Sequence, residues 1–463
     1  MHGKESVMNL ATEIAERGNA LKFADFPVDA VNWAKTAITD ALGCALAGSV
    51  EEASMIALNV CRASVAGGGG VCTVLGTSEF LPPLEAAFAN GVGAHALDFD
   101  DTSKSMAGHP TTVILPAILA LAEERGASGR DLLEAYVVGF ETATRIARGV
   151  NFHHYEKGWH PTATLGIFGA VAACSRLLGL SVEKAAHALG MCVSLSSGVK
   201  SNFGSQTKPL HAGVAARSGL LAARLAEQGF TASVDAFEHP QGFLTVFNGA
   251  GNFDTDKILS GWGQPLDLLN PGISIKKYPC VYSIHAAIDC AIALKQKHRF
   301  SADSIKQVVV LMHKRRLLPH VQRDADNPLN AKFSLAYGVA RGLVDGHVSM
   351  AHFEGTAYAD VTIKRVMKLI ATQGHSKDSN DYGATVNIEL DDGRSFSESI
   401  DAPLGRGPET PLPESMLKAK FQDCAGRVMS AEQSGQLFQL LQDLDSLPNV
   451  RLLTEKATVK KQG

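Results

Sequence analysis

Charged and aromatic residues are scarce in this chain of 463 residues. Asp, Glu, Lys and Arg make up 19% of the sequence, Phe, Trp and Tyr make up 6%, and the formal net charge is −4. Lys and Arg are spread along the chain, so it has no positive field that would attract nucleic acid or an anionic membrane. We therefore expect neither of these among its partners.

Sequence signals for disulfides, thiolate metal sites and membrane insertion are also missing. The eight cysteines show no Cys-x-x-Cys spacing and lie mostly in apolar runs, which is typical of small buried residues in a reducing compartment. No stretch approaches the roughly 20 apolar residues that span a bilayer, and the first 18 residues have no apolar signal core. The sequence predicts a soluble, cytoplasmic protein.

Small and aliphatic residues take the place of the missing types. Hydrophobic residues make up 45% of the chain, and with so few charged residues its composition is more apolar than that of an ordinary globular protein. Small residues such as Ala and Gly, rather than aromatic residues, account for this excess. Small residues on helix faces let helices approach closely, which favours a layered helical bundle. The length predicts roughly two or three domains.

Helical periodicity dominates residues 1–271, which we predict to be a helical domain. A Pro near the start or a Gly near the end marks several segments, and Ser128 with Asp131 has the spacing of a capping box. The predicted helices are 27–48, 111–126, 129–149, 164–179, 181–195 and 211–229.

The pattern changes in residues 272–408, which we predict to be an α+β domain. Alternating or β-branched residues predict strands in 304–313 and 382–400, with Asp391-Asp392-Gly393 as a hairpin turn in the second segment. Helical patterns cover 331–346 and 359–372. Residues 409–463 are helical again and are predicted to rejoin the first domain. The fold class is therefore mostly α, with a smaller α+β domain inserted before the C-terminal helices.

Residues 96–110, ALDFDDTSKSMAGHP, place three carboxylates together at Asp98, Asp100 and Asp101. Such a group suits Mg²⁺ or a protonating acid. A second ligand cluster and a diphosphate motif are missing from the sequence, which disfavours a metal enzyme. We interpret Asp100 and Asp101 as carboxylates that cap a helix or accept backbone N–H groups.

Titratable or cationic side chains stand just before a proline at several predicted helix starts. His109 and His160 each precede Pro, as Lys208 does, and Lys276 and Lys277 precede Tyr-Pro. A lone His is more often structural and a lone Lys is more often solvated. Together, imidazoles that titrate near pH 6.5 and ammonium groups suit a small polycarboxylate. The sequence alone does not bring these residues together.

The segments HALDFDDT, GHP, GWHPTATLG, SSGVKSNFGSQTKPLHAGVAARSGLLAARLAEQGFT and IKKYP carry a family resemblance. In this order and over nearly the whole chain, they resemble the MmgE/PrpD family of 2-methylcitrate dehydratases and cis-aconitate decarboxylases. The resemblance implies a large helical domain, a smaller α+β lid and a homodimer. It also implies an active site between domain and lid that uses no metal or organic cofactor and takes di- or tricarboxylic acids.

The resemblance also assigns roles to individual residues. Asp98 and Thr102 line the pocket, and His109 and His160 are the candidates for proton transfer. Lys208 and Lys276 hold substrate carboxylates, with Lys277 as a further substrate-binding candidate, and Tyr337 reaches the pocket from the lid. Ser103-Lys104 and the Thr pair after His109-Pro110 depart from the usual family pattern, which weakens the assignment of a substrate.

We therefore expect a cofactor-independent lyase, either a decarboxylase or a dehydratase. Both reactions build negative charge beside a carboxylated carbon, which lysines can stabilise while a histidine moves the proton. An epimerase of a dicarboxylate such as iminodisuccinate would use the same residues. A non-catalytic helical scaffold is a remote alternative, because it leaves these motifs unexplained.

Overall fold

The structure is a computed structural model that describes residues 9–65, 69–319, 321–376 and 381–459. The chain forms two units. Met1–Ile275 together with Pro413–Gly463 make up the helical unit, and Lys276–Leu412 make up the mixed unit. Helices predominate and the sheets are small, so the predicted fold class, mostly α with a smaller α+β part, is confirmed. The domain boundaries given by the sequence stay predictions.

In its described residues, the helical unit consists of helices and two very short antiparallel strand pairs. The strand pairs are Cys72–Thr73 with Phe80–Leu81, and Thr102–Ser103 with Ile273–Ser274. Its α-helices are Leu10–Ala20, Val28–Gly48, Glu52–Ser64, Pro83–His95, Thr111–Arg125, Gly129–Val150, His153–Glu156, Pro161–Thr164, Gly166–Leu177, Val182–Leu195, Thr207–Glu227, Phe243–Asn248, Thr255–Leu259, Glu414–Ala425, Ala431–Gln442 and Arg451–Thr454.

The ends of several helices follow from local sequence chemistry. Helix Val28–Gly48 begins directly after Pro27, as predicted. Helix Gly129–Val150 begins with the predicted capping box, in which the Ser128 hydroxyl accepts from the Asp131 N–H and the Asp131 carboxylate accepts from the Ser128 N–H. Both predictions are confirmed, and this pairing satisfies two of the N–H groups that a helix start leaves open.

Two glycines set the separation between helices Pro83–His95 and Thr207–Glu227. A Cβ atom on Gly91 would lie 2.8 Å from the Cα of Gly213, and one on Gly213 would lie 2.6 Å from the Phe88 carbonyl oxygen. Real Cβ atoms do not approach so closely, so any larger residue would force the helices apart. The close packing matters for the site, because His95 ends the first helix and Lys208 lies in the first turn of the second.

We expect Gly213→Ala to lower the free energy of unfolding by about 1–3 kcal/mol, the usual cost of overpacking a core. The control is Gly435→Ala in helix Ala431–Gln442, where a Cβ atom would meet no atom within 4 Å. Ala at that position should stabilise the protein by up to about 1 kcal/mol, since it favours helix more than Gly does. Denaturant unfolding measures both changes, and an unchanged or raised stability of Gly213→Ala would contradict the packing argument.

The mixed unit is built on one four-stranded sheet. Its strands run in the order Ile370–His375, Ile305–His313, Ala384–Leu390 and Ser395–Ile400, with the first pair parallel and the other two antiparallel. Gly393, with a φ of 86°, lies in the turn between the last two strands, so the predicted hairpin is confirmed. Its α-helices are His285–His298, Pro328–Ala331, Leu335–Asp345 and Val361–Met367.

One predicted helix of the mixed unit is wrong at its C-terminal end. The helix expected over 359–372 stops at Met367, and Ile370 to Thr372 instead pair with Val308 to Val310 in the sheet. The β-branched Ile370 and Thr372 suit a strand, and the ladder with a neighbouring strand outweighs the continuing helical period.

Two further observations bear on the predicted protein class. All eight cysteines are free and buried, as expected for small core residues. In the described parts of the chain, no single helix is long and apolar enough to cross a membrane. Helices Val28–Gly48 and Glu52–Ser64 reach that length and apolar composition only when they are taken together, and the pair is bent by 83°.

Candidate active site

Three of the predicted site residues stand at helix starts in the helical unit, as their sequence positions indicated. His109 precedes Pro110, the N-cap residue of helix Thr111–Arg125, and His160 is the N-cap residue of helix Pro161–Thr164. Lys208 is the second residue of helix Thr207–Glu227. Their side chains meet around one further residue, His95.

His95 is the last residue of helix Pro83–His95, and the loop after it returns toward its ring. Asp98 in this loop has a φ of 53°, a left-handed conformation that Asp tolerates better than most residues. The loop places the Asp100 carboxylate on Nδ1 of His95, with the two oxygens at 3.0 and 3.1 Å. The rings of His109 and His160 lie 4.6 and 5.8 Å from the His95 ring, between centroids.

The Lys208 ammonium group lies between His95 and Asp98. Its Nζ is 2.8 Å from Nε2 of His95 and 3.0 Å from Oδ1 of Asp98, and all three residues are buried. A cation in the first turn of a helix opposes the helix dipole, and a nearby anion offsets this effect. Asp98 supplies an anion at this position.

Asp100 contacts a second imidazole as well as His95. Its Oδ2 lies 3.0 Å from Nδ1 of His109, while Nε2 of His109 lies 3.6 Å from Asp98. The interpretation of Asp100 as a helix-capping or backbone-binding carboxylate is therefore wrong. The carboxylate accepts a hydrogen bond from Nδ1 of His95 and lies at ion-pair distance from Nδ1 of His109. A charge at a fully buried position requires such partners.

The two adjacent buried carboxyl groups have pKa values shifted in opposite directions. Burial acts to raise the pKa of Asp100, but the imidazoles of His95 and His109 outweigh it and hold that pKa well below its usual range. Burial and the negative charges of Asp100 and Asp40 raise the pKa of Asp101 well above its usual range. The site therefore favours the carboxylate form of Asp100 and the neutral acid form of Asp101.

His95 itself is neutral at pH 7. Burial lowers its pKa to about 3, since the opposing effect of Asp100 is smaller and the positive charge of Lys208 acts in the same direction as burial. A neutral imidazole carries one proton, and its Nε2 accepts from the Lys208 ammonium. The proton of His95 is therefore on Nδ1, facing Asp100.

His160 lies on the other side of the cluster. Its Nδ1 is 3.0 Å from Nδ1 of His211, and its ring contacts the edge of Phe203 at 4.8 Å between centroids. Burial and then the charge of Lys208 lower the pKa of His160 well below its usual range. Among the described residues, the buried Nε2 atom of His160 has no hydrogen-bond partner.

The cluster also has the donor types of a metal site. One donor atom from each of His95, Asp98, Asp100 and His109 lies within 4.8 Å of the others, a separation that an ion could bridge. The Lys208 ammonium already contacts two of these residues, His95 and Asp98. The positive charge that these donors attract is thus supplied by a side chain, and the expectation of a metal-free site stays a prediction.

The remaining predicted site residues have different surroundings. Half-buried Thr102 pairs with Ser274 in the short strand pair of the helical unit. In the mixed unit Lys276 is buried, and Lys277 forms an ion pair with Asp289 at 2.8 Å. Tyr337 is buried there too, and its hydroxyl donates to the His352 carbonyl and accepts from Arg341 Nε at 3.0 Å. Their predicted roles stay predictions.

Sequence reasoning missed His95, Asp100 and His211 as members of this cluster. His95 and Asp100 both lie in the segment HALDFDDT, five positions apart. That spacing was a usable signal, but only a loop with the left-handed Asp98 brings the two side chains together. His211 follows Lys208 by three residues, a spacing that places both near one face of a helix.

Comparisons with known proteins identify the family of the chain. The MmgE/PrpD N-terminal domain matches residues 12–256, and the MmgE/PrpD C-terminal domain matches residues 278–445. A cis-aconitate decarboxylase from Mus musculus is 30% identical over 82% of this chain and 80% of its own length. Those from Homo sapiens and Aspergillus terreus are each 28% identical, over 94% and 96% of this chain and 92% and 95% of their own lengths. The chain therefore belongs to the MmgE/PrpD family, as its sequence motifs predicted.

Proposed function

We propose that this protein is a lyase that removes CO₂ from a small unsaturated di- or tricarboxylic acid, with cis-aconitate as the leading candidate. The observation that carries the proposal is the Lys208 ammonium, held at 2.8 Å by His95 with His109 and His160 around the same ring. Relatives named cis-aconitate decarboxylase that align over at least four-fifths of their length support the choice of reaction and substrate.

The proposed reaction needs stabilisation of charge on carbon and one proton transfer. The bond between a substrate carbon and its carboxylate breaks, CO₂ leaves, and the electron pair stays on carbon. A neighbouring double bond or carboxylate takes up this charge in an enediolate-like state that an ammonium group stabilises. A proton then adds to carbon, so one carboxylate is replaced by one hydrogen.

We assign His109 as the acid that donates this proton. Asp100 lies 3.0 Å from one ring nitrogen of His109 and Asp98 lies 3.6 Å from the other. Negative groups on both sides stabilise an imidazolium ion, which is the form that can donate. After the reaction, His109 regains its proton from water.

We assign His160 to substrate binding in its neutral form. Burial lowers its pKa and so favours the neutral imidazole, and its Nε2 is a buried polar atom without a partner among the described residues. Buried polar atoms are normally hydrogen-bonded, so a substrate oxygen is a suitable partner for Nε2–H. In this arrangement Nδ1 of His160 accepts from His211.

The other parts of the sequence-based account stay proposals. Lys276, Lys277, Tyr337 and Thr102 are proposed to contribute to substrate binding. The homodimer, the cytoplasmic location and the absence of a metal or organic cofactor rest on the family resemblance and the composition of the chain.

A substrate panel tests the proposed function. Purified protein is incubated with citrate, 2-methylcitrate, cis-aconitate and trans-aconitate, products are identified by proton NMR, and CO₂ is measured separately. We expect cis-aconitate to give CO₂ and a dicarboxylic acid. Loss of water from citrate or 2-methylcitrate without CO₂ would instead identify a dehydratase, and no turnover or binding of any acid would favour a scaffold.

A further inference from the structure

Asp100 is a fully buried residue whose carboxylate contacts two imidazoles of the cluster. Its two oxygens lie 3.0 and 3.1 Å from Nδ1 of His95, and one of them also lies 3.0 Å from Nδ1 of His109. A nitrogen lone pair would repel a carboxylate oxygen at this distance. The contact with His95 is a hydrogen bond, which places a proton on Nδ1 of His95. The contact with His109 is an ion-pair distance without hydrogen-bond geometry, and it favours a proton on Nδ1 of His109 as well.

Each of these protons determines what the other nitrogen of the ring can do. On neutral His95, a proton on Nδ1 leaves Nε2 as an acceptor, and Nε2 lies 2.8 Å from the Lys208 ammonium. On His109, Asp100 keeps the proton on Nδ1, so the proton that the ring can give up is the one on Nε2. The His109 side chain is 12% exposed, whereas that of Asp100 is fully buried.

We propose that Asp100 is the positioning residue of this site. One carboxylate sets the tautomers of two histidines, so that His95 holds the ammonium of Lys208 and His109 presents a transferable proton on Nε2. The inference deepens the proposed function and rests on it for its kinetic test. Asp100 acts through its neighbours and need not touch the substrate.

An amide at position 100 would break this arrangement without changing its size. The amide oxygen of Asp100→Asn can accept from one Nδ1–H, but its NH₂ group would face the other imidazole, which must then present a lone pair at Nδ1. If the proton of His95 moves from Nδ1 to Nε2, the new Nε2–H points at the Lys208 ammonium. If His109 presents the lone pair instead, its Nδ1 can no longer hold a proton beside the NH₂ group, and the imidazolium form that donates from Nε2 is lost.

The neighbouring residue gives a matched control. Asp101 is as buried as Asp100, but burial and the charges of Asp100 and Asp40 raise its pKa and favour its neutral form. Asp101→Asn makes the same change from carboxyl to amide at the adjacent position, and it leaves the contacts of Asp100 with both imidazoles in place.

We expect Asp100→Asn to lower kcat on the substrate by about 100-fold or more, as loss of a histidine-orienting carboxylate does elsewhere. Asp101→Asn should change kcat only a few-fold, with both rates normalised to folded protein. Asp100→Glu, which keeps the charge, should recover part of the loss. Equal losses in the two Asn variants, or wild-type kcat in Asp100→Asn, would overturn the proposal.

Nitrogen NMR of the wild-type protein tests the same inference without turnover. With [¹⁵N]histidine, long-range proton–nitrogen spectra distinguish Nδ1–H from Nε2–H, and His95→Gln and His109→Gln assign the two signals. We expect His95 to be neutral with its proton on Nδ1, and His109 to carry a proton on Nδ1 in every state. His95 protonated only on Nε2 would overturn the proposal even if the protein decarboxylates cis-aconitate, and the expected tautomers would support it even if it does not.

Discussion

Lys208→Met should lower kcat/KM on the true substrate by at least about 100-fold, the usual effect of removing one group that stabilises charge in a transition state. The Lys208 ammonium is the cation that the cluster holds in place, 2.8 Å from His95 and 3.0 Å from Asp98. Charge stabilisation is strong at such a site because burial keeps water away from it. A methionine preserves the shape of the side chain and removes the charge.

The loss of Lys208 must be separated from a loss of folded protein. Removing one partner leaves Asp98 as a buried charge, which can cost about 3–5 kcal/mol of stability. The double variant Lys208→Met with Asp98→Asn removes both charges, and we expect it to regain stability while remaining inactive. Recovery of activity together with stability would show that Lys208 is structural.

Lys35→Met is the matched control for this substitution. Lys35 is also a largely buried lysine of the helical unit, with 14% of its side chain exposed, and it pairs with Asp445 and the Gln442 carbonyl. Steady-state rates per folded molecule should stay near the wild-type value. A similar loss of rate in both lysine variants would contradict a specific role for Lys208.

His109→Gln should lower kcat by roughly 10²- to 10⁴-fold and leave KM within a few-fold of its wild-type value. Glutamine fills a similar space and can contact Asp100, but it cannot donate a proton to carbon. The expected effect is therefore on the chemical step and much less on binding. Steady-state kinetics measure both constants.

A structural histidine provides the control for His109. Nδ1 of His187 bonds to the Ala232 carbonyl at 2.8 Å, in helix Val182–Leu195 of the same unit. His187→Gln should keep kcat close to the wild-type value. If His109→Gln raised KM and left kcat unchanged, the side chain would bind substrate and another group would supply the proton.

Local sequence chemistry predicted most of the fold and part of the site. Pro27 and the Ser128–Asp131 capping box marked helix starts that the structure confirms. Prolines also explain why His109 and Lys208 were found from the sequence. Pro110 and Pro209 each indicate a nearby helix start, and His109 and Lys208 directly precede them. Such signals depend on residues within one turn of a helix, so contacts with distant segments have little effect on them.

The missed features depend on contacts between segments. The strand over Ile370–His375 forms because it pairs with Ile305–His313, a partner more than 50 residues away, and the helical period of the segment does not reveal this. The role of Asp100 depends on the left-handed backbone at Asp98 and on two imidazoles from different segments. Residue types alone favoured a capping carboxylate, which is commoner in folded proteins.

The most direct test of the central claim, that this site exchanges a carboxylate for a proton, is quantitative NMR of cis-aconitate incubated with the wild-type protein in D₂O. The account predicts that each molecule consumed yields one CO₂ and one product molecule with a single deuterium bound to the protonated carbon. Deuterium entering recovered substrate without release of CO₂, or no consumption of cis-aconitate at all, would contradict it.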